Sequence, residues 1–254
     1  MPFPRAPRVR YRRTSLRDVV CQIRFAPVLR IEQESPATFQ EAARRAGFVG
    51  YERHEVASIP LISGLALPMP IRPQRVEHRF VTREKTSFIV LAHDFVAVST
   101  SAYERWETFK PHVELAVRSL VEAYEPAHAT RVGLRYTNVI VRSALGLEGV
   151  AWRELLAPEL LGMLASHDDV DGVSQQVTFA ADASLARGRL AHGLVESDDN
   201  SGYLIDTDYW RDGEISFADA TDVLDPLHAR TWDTFAACLA PRLVEAMQPM
   251  PLER

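Results

Sequence analysis

The segment Cys21-Gln22-Ile23-Arg24-Phe25 has a counterpart in Val132-Gly133-Leu134-Arg135-Tyr136, and a similar order of elements follows each. In both, apolar residues recur at every second position, the period of a strand with one buried face, so Gln22, Arg24, Arg135 and Thr137 turn to the other face. Later in each half a tryptophan begins a matched helical stretch: Trp106-Glu107-Thr108-Phe109 against Trp232-Asp233-Thr234-Phe235, and Leu120-Val121-Glu122-Ala123 against Leu243-Val244-Glu245-Ala246. A single such unit leaves one sheet face and one helix stripe without partners, and pairing two units covers both.

Between these landmarks the elements read in the same sequence. Ser35-Pro36 starts a short helix with the stripe Phe39, Ala42, Ala43 and Ala46, and Gly47 ends it. Residues 51–75 hold Pro60, Pro68, Pro70 and Pro73 among apolar residues, which predicts a long apolar loop of the kind that covers or forms binding sites. Strands are expected at about 76–83, 87–93 and 95–100. Ser101 and Glu104 form a capping box for the clearest helix of the chain, kinked at Pro111. The second half gives a strand at 131–141, a helix at 152–165 broken at Pro158, strands at about 173–180, 185–195 and 203–209, and a long final helix opened by Asp225-Pro226 and running through Met247.

Both halves, about 16–127 and 128–250, therefore read β-α-β-β-β-α. The expected fold is α+β: a tandem repeat forming one large antiparallel sheet with two long helices on one face, saddle-shaped or helix-grip-like, with Trp106 and Trp232 as core anchors.

Composition narrows the function classes. With 254 residues, 46% hydrophobic and 25% charged, the chain can fill a globular core. Two cysteines, Cys21 and Cys238, far apart and matching no metal spacing, fit a reducing, cytoplasmic setting. No apolar run approaches the roughly 18 residues of a membrane span, and the basic N-terminus lacks a signal-peptide core. Of the 29 basic residues only Lys85 and Lys110 are lysines, so arginine counts reflect a general bias of this sequence. Residues 1–15, with Arg5, Arg8, Arg10, Arg12 and Arg13 among three prolines and no acid, are expected to be a flexible arm.

Taken together, Leu16-Arg17-Asp18-Val19-Val20-Cys21-Gln22-Ile23-Arg24-Phe25, Tyr103-Glu104-Arg105-Trp106-Glu107-Thr108-Phe109, Gly133-Leu134-Arg135-Tyr136-Thr137-Asn138 and the Leu227-His228 to Phe235 helix resemble the "sporadically distributed" family of uncharacterised bacterial proteins. The resemblance spans Leu16 to Met247 and omits the arginine-rich start. It brings no established activity. A patchy distribution implies mobile gene islands, where defence and toxin–antitoxin components are frequent.

The candidate site is the sheet face opposite the apolar set. Arg24 and Arg135, flanked by Gln22, Thr137 and Asn138, with Gln176 and Thr178 nearby, could read an acidic peptide, a phosphate or a nucleic acid. The alternative is an ordinary cross-strand ion pair for each arginine, with Glu77 or an acid of 196–214. Arg10, Arg12 and Arg13 could contact nucleic acid or simply be solvated, and a net charge of −5 lacks the overall basic character of a dedicated nucleic-acid binder. His192 with Asp206 and Asp208 could converge on a metal only if their strands pair.

No phosphate loop, nucleophile elbow or zinc-protease helix is present, and both cysteines fall on apolar faces. The expectation is a non-catalytic protein without cofactor or metal, binding a protein or nucleic-acid partner, with homodimerisation possible. The competing class is a small-ligand or hydrolytic enzyme with a cavity between sheet and long helices.

Overall fold

The computed structural model describes residues 3–56, 75–167, 169–180, 186–197 and 200–251. Eleven strands are described: β1 (Val9–Tyr11), β2 (Leu16–Phe25), β3 (Gly50–Val56), β4 (Arg75–Val81), β5 (Ser87–Ala92), β6 (Phe95–Thr100), β7 (Ala129–Val141), β8 (Ser174–Phe179), β9 (Ala186–Ser197), β10 (Asn200–Ile215) and β11 (Pro249–Pro251). The helices are α1 (Arg30–Gln33), α2 (Ala37–Arg45), α3 (Trp106–Tyr124), α4 (Arg142–Leu145), α5 (Pro158–Leu161), α6 (Leu224–Ala237) and α7 (Pro241–Met247). The fold is α+β around a nine-stranded antiparallel sheet in the order β3-β4-β5-β6-β2-β7-β10-β9-β8, with β1 and β11 in a separate two-stranded sheet.

The chain divides into two compact units whose boundaries differ from the expected halves. One comprises Met1–Val19, Gly133–Asp212 and Asp222–Arg254, and the other Val20–Val132 and Gly213–Thr221. The segment 213–221 belongs with the earlier half because Phe217 meets Phe25 edge-on at 6.3 Å and Glu214 lies 3.7 Å from His128.

In the unit built on 20–132, alternation does what the sequence predicts. Cys21, Ile23 and Phe25 are buried on one side of β2, and Ile89, Leu91, Val96 and Val98 continue that layer. Phe39 of α2 lies 5.1 Å from Phe80 of β4, which places the helix on the same side. Just past the end of α2 the chain turns at Gly47, whose φ of +95° a side chain would strain. α3 begins at Trp106 rather than at a capping box, because Ser101 donates both its backbone N–H and its hydroxyl to the Thr86 carbonyl. The predicted loop 51–75 begins instead as β3, an outer strand hydrogen-bonded to β4; residues 57–74, and with them most of that prediction, lie outside the described residues.

In the other unit, Ile140, Tyr203, Ile205, Leu243 and Met247 share one buried cluster with Leu155, Leu156, Leu160 and Leu164. Gly188 lets Tyr209 lie across it: a Cβ there would fall 2.3 Å from the Tyr209 ring. The final helix is two helices, not one. Pro241 starts α7 after the chain has turned to give Ala240 N–H to Leu155 O and to receive Ala157 N–H at Cys238 O. The segment 152–165 is likewise split, into a 3-10 turn at Trp152–Glu154, α5, and a second turn at Gly162–Ala165.

The arginine-rich start is the clearest correction. It is not a loose arm: β1 pairs with β11, Arg12 and Arg13 N–H groups bind the carbonyls of Gln248 and Met247, and Ala6 N–H reaches Asp233 at 3.0 Å. Backbone groups, which carry no sequence signal of charge, hold it in place. No helix among the described residues is long and apolar enough to cross a membrane.

Candidate functional site

On the unit containing β7, β8, β9 and β10, the side of the sheet away from the apolar cluster is polar. Register fixes its members: Asp208 stands opposite Arg189, Asp206 opposite Ala191, and Gln176 and Thr178 of β8 stand opposite Ala191 and Arg189. Arg135 and Thr137 of β7 join them. Arg135 gives Asp206 two hydrogen bonds, from Nε at 2.7 Å and from a terminal nitrogen at 2.9 Å, and Thr137 Oγ1 donates to the same carboxylate at 3.4 Å. Arg189 sits 3.6 Å from Asp206 and 3.7 Å from Asp208.

Burial explains the geometry. The Asp206 side chain is only 4% exposed, and a carboxylate so far from water requires charged donors; the flat, forked guanidinium of Arg135 supplies two. The hydrogen bonds that Arg135 donates to Asp206 raise its pKa above the ordinary value, so this cation is permanent. Asp18 titrates above the usual carboxylate range because burial penalises its charge, with Arg135 partly opposing that.

Asn138, expected at this surface, lies on the other side of β7: it is buried and accepts a hydrogen bond from Ser15 Oγ at 3.2 Å. Strand alternation dictates this, since Asn138 shares the face of Tyr136 and Ile140. Arg10, Arg12 and Arg13 are exposed on the N-terminal stretch, and Arg13 donates to the Leu145 carbonyl.

In the unit built on 20–132, Arg24 is far less engaged. It meets Asp94 at 3.5 Å with its side chain 44% exposed, and Gln22 is half-buried on the same face of β2. Farther along the sheet, Arg75 is hydrogen-bonded to Glu77 and lies over Phe95 at 4.9 Å, while Arg79 lies over Phe88 at 5.6 Å. These contacts occupy arginine faces with aromatic surface. This unit also holds a cavity of about 200 Å³ between β5, β6 and the start of α3, bordered by Ser87, Ser99, Thr100, Glu104, Thr108 and His112. Ser87 and Thr100 hydroxyls bond each other at 2.8 Å, and burial lowers the His112 pKa.

Three Tyr–His pairs, of which only Tyr203–His192 is fully buried, were missed by sequence reasoning, because each depends on strand register or tertiary contact. His78 Nε2–H donates to the Ile31 carbonyl at 2.8 Å, which leaves Nδ1 to accept from Tyr51 at 2.9 Å. Tyr203 donates to Leu160 O at 3.1 Å, so His192 Nδ1–H donates to the tyrosine oxygen at 2.8 Å. Tyr136 meets His228 Nδ1 at 2.9 Å with stacked rings, and burial holds the His228 pKa down at about 3. All three imidazoles are neutral packing residues, and His192 faces Tyr203 rather than Asp206 and Asp208. No group of three or more His, Cys, Asp or Glu among the described residues could hold a metal ion. Burial also raises the thiol pKa values of Cys21 and, to about 12, Cys238, which suppresses thiolate chemistry.

The chain matches no family model, no curated protein and no solved structure.

Proposed function

We propose that this chain is a non-catalytic binding protein that recognises a protein partner through the polar sheet face carrying Arg135, Thr137, Asp206, Asp208, Arg189, Gln176 and Thr178. The observation that carries the reading is the pairing of Arg135 and Arg189 with Asp206 and Asp208 at 2.7 to 3.7 Å. Among these four residues the charges cancel, so they offer no net attraction for a polyanion. A patterned, rigid set of donors and acceptors instead suits a partner surface of matching polarity. Nucleic acid, the other partner class, would require uncompensated positive charge, and its binding would weaken steeply with salt.

Several features of the reading are proposals with it. The tandem β-α-β-β-β-α repeat of helix-grip type is supported by strand order, since each unit sets its first long strand beside its last: β2 beside β6, and β7 beside β10. Membership of the sporadically distributed bacterial family and a role in a mobile defence or toxin–antitoxin system rest on the resemblance of the sequence alone, and a cytoplasmic location rests on its cysteine usage.

Affinity capture of the natively expressed protein tests the function. A protein partner retained by the unaltered chain and lost from the Thr178→Arg variant, whose exposed side chain changes without breaking the ion pairs, supports it. Capture of nucleic acid instead, released by salt, overturns it. The second reading, a small polar ligand, is favoured only by the cavity at the start of α3, whose hydroxyl lining offers convergent hydrogen-bonding groups. Its test is a small-molecule thermal-shift screen repeated on Thr108→Val.

A further inference from the structure

The two outer strands of the large sheet, β3 and β8, are built differently. β3 reads Gly-Tyr-Glu-Arg-His-Glu-Val, and its polar side chains pair along the strand, Arg53 with Glu55 at 2.7 Å and His54 with Glu52 at 3.0 Å. Charged side chains on an edge deter a further strand from adding. β8 reads Ser-Gln-Gln-Val-Thr-Phe, without a charge, and its first five residues are exposed. No strand among the described residues pairs with its outer edge.

We propose that β8 is the docking edge for a second copy of this chain, the two β8 strands pairing antiparallel about a two-fold axis at Gln176. The ladder to β9 sets which groups are free for this. Leu194 N–H donates to Val173 O at 2.9 Å, so Val173, Gln175, Val177 and Phe179 direct their backbone polar groups inward to β9. Ser174, Gln176 and Thr178 direct theirs outward. A two-fold axis normal to the sheet keeps the polar and apolar faces in register only if it passes through a residue. Centred on Gln176, it opposes Gln176 to Gln176 and Ser174 to Thr178, and every outward N–H and C=O of these three residues finds a partner.

Side chains support the same register. Val177 lies on the side of β8 shared with buried Leu190, yet remains 44% exposed because the sheet ends there. Met163 is 61% exposed, next to Gly162, where a Cβ would come within 3.0 Å of the Gln175 amide. The proposed axis sets Val177 of one copy opposite Gln175 of the other, beside Met163, and covers both apolar side chains. A second copy fits better than a charged peptide because β8 offers neither charge to attract one nor charge to repel its own duplicate.

Sedimentation velocity across a dilution series, with single-cysteine cross-linking, tests the proposal on the full chain. Cα atoms of a hydrogen-bonded antiparallel pair lie about 5.5 Å apart, within disulfide reach. Gln176→Cys is therefore expected to form an intermolecular disulfide under mild oxidation, whereas Ser174→Cys does not cross-link. The unaltered chain shifts toward twice the monomer mass as concentration rises, and Val177→Lys, which places a charge in the apolar strip of an exposed edge, loses that shift while keeping its circular dichroism. A chain that stays monomeric at the highest concentration, a Val177→Lys protein that dimerises equally well, or cross-linking at Ser174→Cys but not at Gln176→Cys overturns it.

Discussion

Arg135 grips Asp206 with two nitrogens of its guanidinium, at 2.7 and 2.9 Å, and the carboxylate it holds is 4% exposed while the arginine itself remains 47% exposed. The pair is thus asymmetric: the acid depends on the base more than the base on the acid.

That asymmetry sets the first expected outcome. Arg135→Ala leaves a buried carboxylate with only Thr137 and the more distant Arg189, and is expected to cost about 2 kcal/mol, less than a fully buried pair because solvent screens the arginine. Arg24→Ala breaks an exposed contact at 3.5 Å and should change stability by less than about 0.5 kcal/mol. Urea unfolding of the two variants side by side checks this; equal effects would contradict the asymmetry.

His228 makes stability depend on acidity. Its folded pKa, about 3, lies below the ordinary value of 6.5, first because burial penalises the imidazolium and then because Arg8 repels it. The unfolded chain therefore takes up the proton first, so the stabilising contribution is complete above pH 6.5 and is lost as pH falls from there toward 3. His228→Gln is expected to be less stable at neutral pH, since Tyr136 loses its stacked partner, but to show a flatter decline through that window. Denaturation midpoints measured at stepped pH separate the two effects.

The legible parts of the fold were those where one face is dry. Val19, Cys21, Ile23 and Phe25 announced β2 because burial of alternate residues leaves a period in the sequence, and all four are at most 3% exposed. β3 left none: six of its seven residues are exposed, so nothing selects for alternation. Arg135 could be placed on the polar face from parity alone, and an acid from 196–214 could be named as its alternative partner. That the acid is Asp206, and that Arg189 also approaches it, required the β9–β10 register. The expected arm shows a different blindness, because its strand pairing runs through backbone atoms that every sequence possesses.

Gly193 is a position where only glycine fits. Its φ is +156°, and a Cβ would stand 1.9 Å from the Val173 carbonyl oxygen, which is already bound to Leu194 N–H. Gly193→Ala must push β8 from β9 or distort the backbone, an expected loss of about 3 kcal/mol. Gly172→Ala, with nothing within 4 Å of its Cβ, serves as the control and should be nearly neutral. Hydrogen exchange at Leu194, whose amide loses protection only in the first variant, localises the damage.

The N-terminal clasp leads to a separation between charge and backbone. Ala6 N–H satisfies Asp233, which is 6% exposed, and the Pro7 carbonyl accepts from Trp232 Nε1 at 3.2 Å, while Tyr11 lies 6.0 Å from the Trp232 ring. Deleting residues 1–13 removes both bonds, strands a buried carboxylate and uncovers part of an indole, so it should cost about 2 to 3 kcal/mol and shift tryptophan emission to longer wavelength. Arg10→Ala combined with Arg12→Ala removes two exposed charges but keeps every backbone bond, and its stability should stay within about 0.5 kcal/mol of the unaltered chain. Urea unfolding followed by fluorescence distinguishes them. If the double substitution proved as costly as the deletion, the guanidinium groups rather than the strand would be what holds the start of this chain in place.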